Sequence, residues 1–153
     1  MEIWFYHLQH QPLEQALPAL VEEFRAQGSR IVVQAASDER LDALDEALWT
    51  YSDASFLAHG RARDGDGEMQ PVYLTTQGEN PNGAKLRLFV DSADVAATVA
   101  GDTSSYERII LMFDGNDTDQ LDAARLQWKR LKDQGFELTY WRQGERGRWE
   151  KRA

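Results

Sequence analysis

Arg125, Lys129 and Lys132 recur at spacings of four and three, and on a helix turning about 100° per residue they fall within about 60° of one another. Trp128 stands at the edge of that face, in a stripe of Leu121, Ala124, Trp128 and Leu131 spaced as a core-facing helix requires. Three cations beside an indole can hold an anionic peptide, the cations taking its carboxylates and the apolar edge taking a side chain. The same residues also suit an ordinary amphipathic helix with Trp128 in the core and the cations solvated. A second cluster, Trp49, Tyr51 and Phe56, gathers three aromatics where another apolar stripe ends. Such a group either fills the core beneath a loop or forms a contact patch on the surface.

Other chemistries find no constellation in the sequence. The absence of Cys removes disulfides, thiolate metal sites and cysteine nucleophiles. His7, His10 and His59 form no H-x-x-x-H pair, so no metal site is expected. Neither phosphate-binding glycine pattern occurs, nor does G-x-S-x-G. Asp64-Gly65-Asp66-Gly67-Glu68 begins like a calcium loop but lacks its length and closing glutamate. No catalytic residue and no cofactor is therefore assigned. Because catalytic groups can assemble from distant positions, one alternative stays open: an α/β enzyme acting on a small anionic, nucleotide-like substrate.

The chain has 153 residues, 42% hydrophobic and 28% charged, proportions that fit one globular domain over residues 1–153. Its net charge of −9 argues against general binding of nucleic acid, which needs a positive surface. The charge is uneven: residues 1–124 carry 8 Lys/Arg against 22 Asp/Glu, whereas residues 125–153 carry 9 against 4. Only Trp149, among the arginines of that basic end, suggests stacking with single-stranded DNA. No apolar run reaches the roughly 18 residues a membrane helix needs, and the N-terminus does not read as a signal peptide. A cytoplasmic location is the expectation.

Strand and helix signals alternate along the chain. Ile3 to Leu8 suits a strand, and Leu13, Leu17, Leu20, Val21 and Phe24 recur at helical spacing up to Gly28. Ile31-Val32-Val33 reads as a buried strand, and Ser37 offers a cap for a helix with Leu41, Leu44 and Leu48 on one stripe. Residues 60–70 read as a mobile loop. Strand candidates follow at Pro71–Leu74 and Leu86–Val90, with an Asn82-Gly83 turn between them, and at Tyr106–Phe113. Asp114 to Asp117 precedes a helix from about Thr118 to Gln134, closed by Gly135, and Phe136–Trp141 returns as a strand. Residues 144–153 form a charged end. The alternation favours an open α/β sheet, mostly parallel, with helices on both faces.

Taken together, several stretches resemble the chi subunit family of bacterial DNA polymerase III. They are Phe5-Tyr6-His7-Leu8; Leu41-Asp42 through Leu44-Asp45-Glu46-Ala47-Leu48-Trp49, with Ser55-Phe56 and His59; Pro71-Val72 with Leu74; Tyr106-Glu107-Arg108; and Ala124-Arg125, Trp128-Lys129 and Gly135-Phe136. The resemblance implies a mononucleotide-binding-like α/β fold without a nucleotide site, and a non-catalytic clamp-loader accessory subunit. It further implies two partners: the acidic C-terminal tail of the single-stranded-DNA-binding protein, and the psi subunit. Arg125, Trp128 and Lys129 match the tail-binding helix, Lys132 joining them by geometry. Trp49 and Phe56 match the psi-facing aromatics, Tyr51 joining them by proximity.

Overall fold

Alternation along β1 (Glu2–Leu8) creates the two faces on which everything else packs. Ile3 and Phe5 point into one apolar layer, whereas Tyr6 and Leu8 point into the other. The computed structural model describes residues 2–50, 59–61, 64–99, 106–144 and 149–152. After β1 the chain forms α1 (Leu13–Ala26), β2 (Ile31–Gln34), α2 (Asp38–Thr50), β3 (Gly60–Arg61), β4 (Val72–Thr75) and β5 (Leu86–Phe89). It continues with α3 (Val95–Val99), β6 (Arg108–Asp114), α4 (Thr118–Asp133), β7 (Glu137–Gln143) and β8 (Trp149–Lys151).

The eight strands make one sheet in the order β3-β4-β2-β5-β6-β1-β7-β8. Every pairing is parallel except β7 with β8. Because the interior strands are covered on both sides, they read as continuous apolar runs such as Ile109-Ile110-Leu111-Met112-Phe113. α1 and α2 cover one face through Leu17, Leu20, Val21, Leu41, Leu44 and Leu48. α3 and α4 cover the other through Val95, Ala96, Ala124 and Leu131. The open α/β sheet expected from the alternation of elements is thus the one observed.

Where sequence and structure differ, the elements are short. The stretch 60–70 holds β3 and a 3-10 turn at Gly67–Met69, and the basic end supplies β8, whose Trp149 tilts over Tyr6 at 4.4 Å. Two- and three-residue edge strands carry no readable periodicity, since a neighbour's backbone recruits them. The five-residue α3 escapes for the same reason. Asn82-Gly83 does turn the chain, Gly83 adopting φ 66°. β4 and β5 do not pair, however, because β2 lies between them, and the Asn82 amide donates to the Ile31 and Gln70 carbonyls at 3.1 and 2.9 Å. No helix among the described residues is long and apolar enough to cross a membrane.

Candidate functional site

α4 begins where its sequence says it should. The Asp117 carboxylate accepts from the Asp119 and Gln120 amides at 3.0 and 3.3 Å, satisfying two donors that the first turn leaves open. Its end is closed by Gly135 at φ 89°, whose amide donates to the Lys132 carbonyl at 3.0 Å. Ala124, Gln127 and Leu131 are its buried residues, with Leu121 and Trp128 half-buried. The expected stripe is therefore shifted by one polar member. Gln127 accepts from the Val95 amide at 2.8 Å and donates to the Ala93 carbonyl at 3.2 Å, so it pins α3 to α4. A buried glutamine with both amide atoms used costs little.

Arg125, Lys129 and Lys132 are all exposed. Among the described residues none of them forms an ion pair. Trp128 takes neither extreme left open by its spacing. One part of the indole packs edge-on against Phe5 at 5.1 Å and Tyr140 at 5.9 Å, and the rest stays accessible beside the cations. Four of the seven sequence-derived site residues, all on α4, thus share one surface.

Beneath this surface lies a polar pair that sequence reasoning missed. His7 Nδ1 and the Tyr140 hydroxyl share a hydrogen bond. The imidazole also packs on the Phe113 ring at 5.0 Å. Gly115 closes its other edge so tightly that a Cβ there would collide with His7 Nε2. Burial first, then the positive charges of Arg142 and Arg125, hold the His7 imidazole below its usual value, with Asp114 acting in the opposite sense. Burial pushes the Tyr140 hydroxyl up, while Arg142 and Arg125 pull it down. His7 and Tyr140 are 133 residues apart in sequence, so no local spacing could have joined them.

Trp49 occupies the last turn of α2 and is 56% exposed. Its ring tilts against His59 at 4.7 Å, and His59 Nε2 reaches Asp45 Oδ1 at 2.6 Å. Tyr51 and Phe56, the other members of that cluster, lie outside the described residues.

The crevice that doubly wound sheets offer to small ligands lies where adjacent strands send the chain to opposite faces. Between β2 and β5 it is bridged by Arg40, which binds Asp91 at 2.8 Å and Glu14 at 2.5 Å. At the carboxyl end of β4 a hollow of about 220 Å³ remains, whose Arg61 is paired with Asp42. A larger groove of about 740 Å³ runs between α1 and α2, lined by Glu14, Gln15, Ala43 and Ala47. No group of three or more potential metal ligands occurs among the described residues.

Fold and surface together define a doubly wound α/β domain whose outer helix α4 carries a group of accessible cations. The chain belongs to the family described as DNA polymerase III chi subunit, HolC, whose profile matches residues 1–139. It is similar to a protein of Rickettsia prowazekii (strain Madrid E) named as a probable DNA polymerase III subunit chi. The two are 28% identical over 111 residues, covering 71% of this chain and 67% of the relative. The resemblance seen in Leu44–Trp49 and Ala124–Lys129 is thereby a family membership.

Proposed function

We propose that this chain is a non-catalytic accessory subunit of DNA polymerase III that binds the acidic C-terminal tail of the single-stranded-DNA-binding protein through α4. The observation that carries this reading is the exposure of Arg125, Lys129 and Lys132 without ion-pair partners among the described residues, beside the accessible edge of Trp128. An incoming carboxylate meets guanidinium and ammonium groups that have no ion-pair partner among the described residues to give up. The indole, held from below by Phe5 and Tyr140, offers a rigid apolar surface to the tail's last side chain.

Such a footprint is far below a standard interface, so affinity of about micromolar, roughly −8 kcal/mol, is expected. A subunit that travels with the replication machinery along coated DNA must release each tail it catches, and weak binding permits that. Calorimetry with a synthetic tail peptide tests the assignment. Arg125→Ala is expected to weaken binding by roughly 1–3 kcal/mol, and affinity is expected to fall with added salt. Unchanged affinity in both Arg125→Ala and Lys129→Ala would remove this face from consideration.

A contact with the psi subunit at the end of α2 is the second part of the proposal. Its support is the large exposed surface of Trp49 in the family-matching Leu44–Trp49 segment, since exposed tryptophan is common at the centre of protein interfaces. Trp49→Ala is expected to abolish co-purification with a co-expressed psi subunit while leaving tail binding intact.

A further inference from the structure

One side of α2 is matched to the sheet's edge strand, β3. Asp42, Asp45 and Trp49 are spaced three and four apart, which brings them onto one face of the helix. His59, just ahead of β3, and Arg61 within it flank Gly60, and both reach back to that face. Arg61 pairs with Asp42, and His59 Nε2 donates to Asp45 Oδ1 at 2.6 Å. The helical spacing of the acceptors thus meets the alternate spacing of the donors.

The second pair is the more enclosed. The His59 side chain is fully buried and that of Asp45 is 16% exposed, so little water competes for their bond. The imidazole lies 4.7 Å from the Trp49 ring, with 55° between the planes. Because the imidazole is wholly buried and the indole is more than half exposed, His59 backs the inner side of Trp49. A buried histidine–carboxylate pair adds little stability over an apolar side chain of the same size, but it fixes an orientation. Here the orientation fixed is that of a ring standing behind an exposed tryptophan, whose two side-chain torsions would otherwise be free to sample several rotamers in the last turn of α2.

We propose that His59, oriented by Asp45, is a positioning residue that holds the Trp49 indole in the orientation in which it meets the partner at the end of α2. This rests on the psi-contact reading above and deepens it: Trp49 docks as a preorganised surface, and its rotamer does not have to be selected on binding. Immobilising one such side chain is worth about two- to tenfold in affinity, less than the indole itself contributes at the centre of an interface.

The test measures the affinity of the intact chain for a psi subunit by surface plasmon resonance, beside the fluorine resonance of Trp49 in fluorotryptophan-labelled protein, assigned by its disappearance in Trp49→Phe. Asp45→Ala frees the imidazole, whereas His59→Gln keeps a donor to Asp45 and removes the ring behind the indole. Each is expected to weaken binding by about two- to tenfold and to move the Trp49 resonance toward that of the free amino acid, and His59→Gln carries the comparison alone where Asp45→Ala does not fold. Asp45→Asn, whose amide oxygen still accepts from Nε2, is expected to restore both readouts. If His59→Gln leaves the affinity at the wild-type level while Trp49→Ala abolishes it, or weakens binding without moving the resonance, the positioning role is overturned and the psi contact survives. If Trp49→Ala leaves the affinity unchanged, both fall.

Discussion

Arg87 and Arg125 carry the same guanidinium group and meet opposite fates. Arg87, in β5, is fully buried and donates to the Gln34 side chain at 3.0 and 2.5 Å, to the Glu79 and Gln77 carbonyls at 2.8 and 2.6 Å, and to the Tyr106 hydroxyl at 3.2 Å. It also lies over the Phe89 and Tyr106 rings. Burial pulls it below the ordinary arginine value. Every direction in which that group could bind a ligand is already used, to tie the chain after β4, the end of β2 and Tyr106 to β5. Arg125 rises from a helix whose neighbours below it are apolar, and among the described residues no carboxylate reaches it. A cation's availability is thus set by what surrounds it: among the described residues Arg40, Arg61 and Arg87 are spent on internal order, whereas Arg125 is left open.

The sharpest way to break the comparison is to exchange the two roles. Arg87→Leu is expected to destabilise the fold by at least about 3 kcal/mol, since it strands several buried acceptors. Chemical denaturation would show a lower midpoint, and an unshifted midpoint would mean that Arg87 organises nothing. Arg125→Ala is expected to leave that midpoint within about 0.5 kcal/mol of wild type, while costing the roughly 1–3 kcal/mol of peptide affinity given above. A substitution that moved both quantities together would erase the distinction between structural and available arginines.

Smaller effects sharpen the boundary between the two regimes. Asp117→Ala removes the side-chain cap of α4 and is expected to cost about 1 kcal/mol of stability. Peptide affinity should follow only to the extent that the first turn of α4 positions Arg125, so comparing Asp117→Ala with Asp117→Ser separates capping from charge.

The smallest expected effect concerns His7. Its folded-state value is depressed from the ordinary 6.5, so the unfolded chain takes up a proton at higher pH than the native one does. Stability is therefore fully present above about pH 6.5 and declines as pH falls through that value toward the depressed one. Denaturation at about pH 7.5 and about pH 5.5 is expected to show a loss in the wild type that is reduced in His7→Gln. Equal losses in the two proteins would show that the imidazole is not held neutral beneath Tyr140.

Much of the α4 face was legible in the chain because its determinants are local. Arg125, Lys129 and Lys132 share a side by helical periodicity alone, and Asp117 and Gly135 bracket the helix by their capping chemistry. Gln127 escaped because its burial depends on α3, an element too short to leave a periodic signal. The influence of Arg142 on His7 escaped because it looks like one more charge in a basic end until β7 is known to lie against β1.

By itself, then, the sequence determined which of the longer segments become helix or strand, that the strands would be covered on both faces, and that one helix would carry cations beside an indole. Those properties follow from interactions within a few residues, where periodicity of 3.6 or 2 is sufficient. Only the tertiary structure decided that β1 inserts between β6 and β7 and that His7 meets Tyr140. It alone set Arg142 of β7 beside His7 of β1. Strand order is a choice among distant partners whose backbone hydrogen bonds are chemically alike, and it is settled by the packing of the whole sheet.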